Sequence, residues 1–156
     1  MASRSLSMSR QVRTRPVPSV EVRHFLPSRI AEISPLVTQL MSLIGTSRAP
    51  DGSEREIELA LREALANAVV HGNREDPEKR IEVACRCGAD GSVDITIGDQ
   101  GEGFDTRGFS DSAVPDSRAA SQSRGIFLMR AMMDEVWFSG GGTVVHMRKK
   151  PNASWE

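Results

Sequence analysis

Apolar residues along the chain change period several times, and each change marks an element. Val20 to Phe25 alternates weakly and stops at Leu26-Pro27, which predicts a first strand closed by proline. Leu36, Val37, Leu40, Met41 and Ile44 recur at three- and four-residue spacings, the signature of a helix. Ser34-Pro35 reads as its N-cap and first residue, Gly45 as its stop, and a weaker turn from Ser28 precedes it. After the connector 45–52, Ile57, Ala60, Leu61, Ala64, Leu65 and Ala68 form one face of a second helix. Ser53 with Glu56 predicts a capping box at its start, and Gly72 a C′ residue at its end.

Alternation replaces helical spacing after the charged turn 73–80. Ile81, Val83, Cys85 and Cys87 share one strand face, and Val93, Ile95 and Ile97 share another. The turn at Ala89-Asp90-Gly91 joins them as a hairpin. Residues 98–123 are polar and aperiodic, a length that points to a lid or binding loop. A third helix is predicted over Arg124–Met133, then strands over 135–139 and 143–149 joined by Gly140-Gly141-Gly142. The order β-α-α-β-β-lid-α-β-β predicts an α+β fold, a two-layer sandwich with helices on one face of a mixed or antiparallel sheet.

Composition changes this picture only at the ends. With 156 residues, 38% hydrophobic and 26% charged, the chain suits one domain with a real core. It is divided into a basic, disordered tail (1–19), a folded domain (20–150) and a short C-terminal tail (151–156). Residues 1–19 hold Arg4, Arg10, Arg13 and Arg15 and no acid, leaving 16 basic against 21 acidic residues in the remainder. The tail reads as a solvated leader, and direct nucleic-acid binding by it is the least favoured reading. No apolar run is long enough for a membrane span or a secretory signal, so no membrane partner and a cytoplasmic location are expected. Cys85 and Cys87 have no third ligand at zinc spacing and read as reduced core residues.

Candidate chemistry lies on the polar side of this scaffold. Glu63, Asn67 and His71, four apart, make one stripe on the second helix. A carboxylate and a carboxamide one turn apart suit a hard cation that keeps water and phosphate in its shell; Glu63 also suits general-base work. A solvent-exposed polar stripe would look the same. Asp99-Gln100-Gly101-Glu102-Gly103 follows a strand directly, so its backbone can approach a ligand while Asp99 accepts from an amine. Ser123-Arg124-Gly125, at the predicted start of the third helix, reads either as an anion site or as an ordinary cap. Gly142-Thr143 enters a late strand and reads otherwise as a hairpin turn.

In this order, EALANAVVHGN, DQGEGFD and SRGIFLMRAMMDEV resemble the N-box, G1 box and G2 region of the GHKL (Bergerat) ATP-binding fold, over roughly residues 20–150. Among GHKL proteins the chain is similar to bacterial anti-sigma-factor serine kinases. The resemblance implies an ATP-dependent serine/threonine protein kinase that binds a sigma factor and phosphorylates a serine on an anti-sigma-factor antagonist. It implies ATP and Mg²⁺ as cofactors and a homodimer built through the first helix and the adjoining sheet edge. It assigns Asn67 to Mg²⁺, Glu63 to the general base, and Asp99 to the adenine amine, with Gly101 and Gly103 shaping the pocket. Arg124 and Gly125 would border the phosphates, and Thr143 would support the adenine end. Ser123 stands where many relatives have glycine, and the lid is not glycine-rich. The alternative is therefore a nucleotide-binding module that sequesters a partner without phosphoryl transfer.

Overall fold

The structure, a computed structural model, describes residues 18–106 and 117–152, and in it the strands and α-helices follow β1 (Val20–Pro27) in the expected order, with three shorter helical turns among them. Most of the basic tail, the lid segment 107–116 and the last four residues lie outside that range.

A single 3₁₀ turn (Ile30–Glu32) leads from β1 into α1 (Ile33–Gly45), so the weaker turn before the helix is present. Pro35 falls in the first turn of α1, where no intrahelical donor is needed. The helix α2 (Glu54–Ala66) starts where expected, but Ser53 does not cap it. Its hydroxyl donates back to the Pro50 carbonyl at 2.5 Å, so the capping box does not form. The hairpin is β2 (Arg80–Cys87) with β3 (Val93–Gly98), followed by α3 (Ser117–Met132), β4 (Glu135–Ser139) and β5 (Val144–Lys149).

The five strands form one sheet in the order β1-β2-β3-β5-β4, with every neighbouring pair antiparallel. Ile81, Val83, Cys85, Cys87, Val93, Ile95, Ile97 and Met147 point to one face and are buried there, both cysteines as free thiols. The helices cover that face: α2 packs against α1 on one side and α3 on the other. Its Ile57, Leu61 and Leu65 are fully buried, each stabilising the fold by about 1.5–3 kcal/mol relative to exposure. Leu36, Val37, Leu40 and Ile44 of α1 close the same core, and Met41 and Leu43 pack at its margin. The several apolar sides of α1 are thus largely used within the chain.

Among the described residues, no helix covers the opposite face of the sheet. Across it the strand register aligns Glu21, Arg86, Asp94, Arg148 and Glu135 in one row, so the sign of charge alternates from edge to edge. Arg148 grips Asp94 through Nε and a terminal nitrogen at 2.6 and 3.3 Å. Among the described residues, no helix is long and apolar enough to cross a membrane.

Candidate functional site

The α2 backbone does not end in an α-helical cap. From Asn67 to Gly72 it widens into a π turn, in which the Asn73 N–H bonds the Ala68 carbonyl five residues back. Such widenings concentrate at functional sites because they rotate side chains out of α-helical register. Here Asn67 and His71 face a cleft of about 570 Å³, whereas Glu63, one α-turn earlier, stands outside its lining. The volume lies within the range of small-molecule sites.

Across the cleft from Asn67 are Asp99, Gly103 and Thr143, with Ile97, Ile126, Met129 and Phe138 supplying apolar walls. Phe104 meets Phe138 edge-on, ring centroids 5.3 Å apart, and this pair shapes one end. Asp99 is held by its backbone N–H on the Thr143 carbonyl at 2.9 Å and by the Gly101 N–H on its Oδ1 at 2.8 Å. The Phe104 N–H reaches Gly141 O at 3.0 Å, tying the glycine loop to the turn before β5. Gly103 needs its left-handed φ of 76° there, a region costly for any residue with a Cβ.

Gly72 acts here by close approach rather than as a left-handed cap. A Cβ on it would overlap the Asp99 carboxylate. The left-handed residues that end the turn are Arg74 (φ 53°) and Glu75 (φ 57°), both on the cleft wall. Gly101 stands behind the wall, against the Gly72 carbonyl.

The third helix departs most from expectation. It starts at Ser117, so Ser123, Arg124 and Gly125 lie inside α3 rather than at its first turn, and no helix-start anion site exists there. Arg124 is exposed and does not line the cleft. Gly125 is buried against α2. A Cβ on it would lie 2.9 and 3.0 Å from the Asn67 amide atoms and 3.2 Å from Glu63 Oε2. Asn67 Nδ2 also reaches the Gln122 carbonyl at 3.5 Å. Glu63 and Asn67 therefore converge at one point on α3.

That donor set fits a cation only in part. Among the described residues no group of three or more His, Cys, Asp or Glu side chains is placed to hold a metal. One carboxamide and one carboxylate oxygen suit Mg²⁺, which keeps water and substrate phosphate in its shell.

Burial pushes the Asp99 carboxyl above its ordinary value, with the Gly101 N–H and the charge of Lys79 opposing the shift. The ligand-free fold thus holds the Asp99 proton more tightly than the unfolded chain. Its stability contribution falls as pH rises through that raised value. A ligand that donates a hydrogen bond to Asp99 favours the ionised carboxylate, so its affinity should fall on acidification through the same window. Calorimetric titration from neutral to acid pH should show a steeper drop in wild type than in Asp99→Asn.

A comparison with known protein families matches residues 26–149 to the histidine kinase-like ATPase domain. The chain belongs to that family. Membership of the histidine kinase-like ATPase family implies that the domain binds ATP. It is also similar to an anti-sigma F factor of Heyndrickxia coagulans, 31% identical over 94 residues, or 56% of this chain and 63% of the relative's length. The antiparallel sheet with helices on one face agrees with the fold expected of this ATPase family.

Proposed function

We propose that the chain is an ATP-dependent serine/threonine protein kinase and anti-sigma factor. In this role it binds a sigma factor and phosphorylates a serine on an anti-sigma-factor antagonist. The observation that carries the proposal is the convergence of Asp99 and Asn67 on one cleft, with Glu63 beside Asn67 on the α3 side. The similarity to an anti-sigma F factor supports the choice of partners.

In this mechanism Asp99 accepts a hydrogen bond from the adenine amine while the apolar walls hold the base. Asn67 would orient the triphosphate and hold Mg²⁺, whose charge would neutralise the phosphate oxygens. Glu63 takes the proton of the incoming serine hydroxyl. The new O–P bond forms at the γ-phosphorus as its bond to the bridging oxygen breaks, and ADP leaves. Phosphoryl transfer depends chiefly on positioning and charge neutralisation, so so few side chains suffice. Gly125 admits Asn67 and Glu63 to the same place, and Thr143 supports Asp99 through its carbonyl. A homodimer through α1 and the β1 edge is part of the proposal, supported by the exposure of Val20, Phe25 and Ile30 beside that edge.

A sequestering module that binds nucleotide without transfer is the second reading, favoured by Arg124 standing away from the cleft. Both readings require ATP and ADP to raise the thermal midpoint of the wild type by mass action and to do so far less in Asp99→Asn. Labelled ATP, Mg²⁺ and a candidate antagonist then separate them: label on an antagonist serine supports the kinase, and stable binding without label supports the module. Light scattering of the nucleotide-bound sample should give twice the chain mass; the mass of one chain would overturn the dimer.

A further inference from the structure

We propose that Asn73 is a positioning residue for base selectivity, touching no ligand itself but fixing the Asp99 carboxylate relative to the turn that carries Asn67. The proposal rests on reading Asp99 as the acceptor for the adenine amine.

Asn73 is 1% exposed, the only buried amide side chain among the described residues. Its carboxamide joins two separate segments. Oδ1 accepts the Gln100 N–H at 2.8 Å, and Nδ2 donates to the Arg80 carbonyl at 3.0 Å. Gln100 returns the contact, its Oε1 accepting the Arg80 N–H at 2.8 Å. The Asn73 backbone N–H completes the π turn on Ala68, and its carbonyl accepts the Asp76 N–H at 3.1 Å. One residue thus clasps the end of the π turn, the start of β2 and the loop after β3.

Gln100 separates Asp99 from Gly101, whose N–H holds Asp99 Oδ1. Any tilt of the Gln100 peptide therefore moves the Asp99 carboxylate and the donor that orients it together. Gly72, adjacent to Asn73, packs directly on that carboxylate, so a shifted loop cannot settle back without repacking. Removing the Asn73 acceptor leaves the Gln100 N–H without its protein partner, a loss relieved by moving the loop. Recognition of an amine tolerates little movement, because hydrogen bonds weaken steeply with distance and angle.

The test compares ATP with inosine triphosphate, which keeps the ribose and phosphates but replaces the amine by an oxygen. Wild type should prefer ATP. Asn73→Ala should narrow that preference about tenfold, equivalent to ~1.4 kcal/mol of lost discrimination. Asn73→Asp keeps an acceptor for the Gln100 N–H and should retain most of the preference even where its thermal midpoint falls. A purely structural role would weaken both nucleotides together and leave their ratio unchanged, which would overturn the proposal. Where Asn73→Ala does not fold, Asn73→Ser serves, its hydroxyl being too short to reach Gln100. Asp99→Asn is the control. If it retains the wild-type ratio, the reading of Asp99 fails and the proposal with it. If it collapses the ratio while Asn73→Ala and Asn73→Ser preserve it, only the role of Asn73 fails.

Discussion

Gly72→Ala is expected to weaken adenine-nucleotide binding roughly 10–100-fold while the chain stays folded. The added methyl would occupy the space of the Asp99 carboxylate, so one of the two must move. Overpacking of this kind costs about 1–3 kcal/mol, and each 1.4 kcal/mol is tenfold in affinity. The easiest relief is rotation of Asp99 away from the Gly101 N–H, which turns the acceptor out of the cleft. The π turn is the stiffer partner, since Asn73 and Glu75 bond back to Ala68 and Val69 at 2.9 and 2.8 Å. Titration calorimetry should show the loss and circular dichroism an intact fold. Wild-type affinity in Gly72→Ala would mean that Asp99 does not read the base.

Glu63→Gln should have the opposite profile. On the proposed chemistry it removes the proton acceptor but keeps the size and the hydrogen-bonding oxygen beside Asn67. Nucleotide affinity should change little, and phosphoryl transfer should fall by about 10²–10⁴-fold, the usual contribution of a general base. Single-turnover transfer from labelled ATP separates the two quantities. Transfer persisting at the wild-type rate would assign the proton to another group, and equal loss of binding and transfer would make Glu63 a ligand-holding residue instead. Its position outside the cleft lining and against Gly125 favours the first profile, because a group that meets only the incoming hydroxyl need not touch the nucleotide.

Elements whose signal is local were legible in the sequence. The apolar face of α2 and the alternation of β2 and β3 report burial on a single helix or strand, and all of their marked residues are buried. The failures arise where the local pattern is silent or where the deciding partner lies elsewhere in the chain. The first turns of α3 (Ser117–Ser123) are small and polar, with no apolar stripe to announce a helix. Ser53 carries a capping sequence, yet the carbonyl of Pro50 is the partner its hydroxyl takes. Gly72 looked like a cap because glycine after an amphipathic run usually is one. Its actual constraint comes from Asp99, 27 residues later, and no pattern around position 72 contains it. Asn73 was hidden among the charges of 73–80, since its burial depends on Arg80 and Gln100 closing over it. Within the candidate site, Asn67, Asp99, Gly103 and Thr143 are brought to one cleft as their order along the chain anticipated. The placement of Arg124 was missed through the same misjudged helix start.

The row of alternating charges across the bare side of the sheet has an electrostatic consequence. Three acids and two arginines placed in turn largely cancel at distances beyond a Debye length, about 8 Å in physiological salt. At long range the row therefore acts as about one net negative charge rather than as five separate ones. Neutralising Glu21 and Arg86 together, a change that leaves the net charge of the row as it was, should therefore leave the ionic-strength dependence of a partner's association rate unchanged.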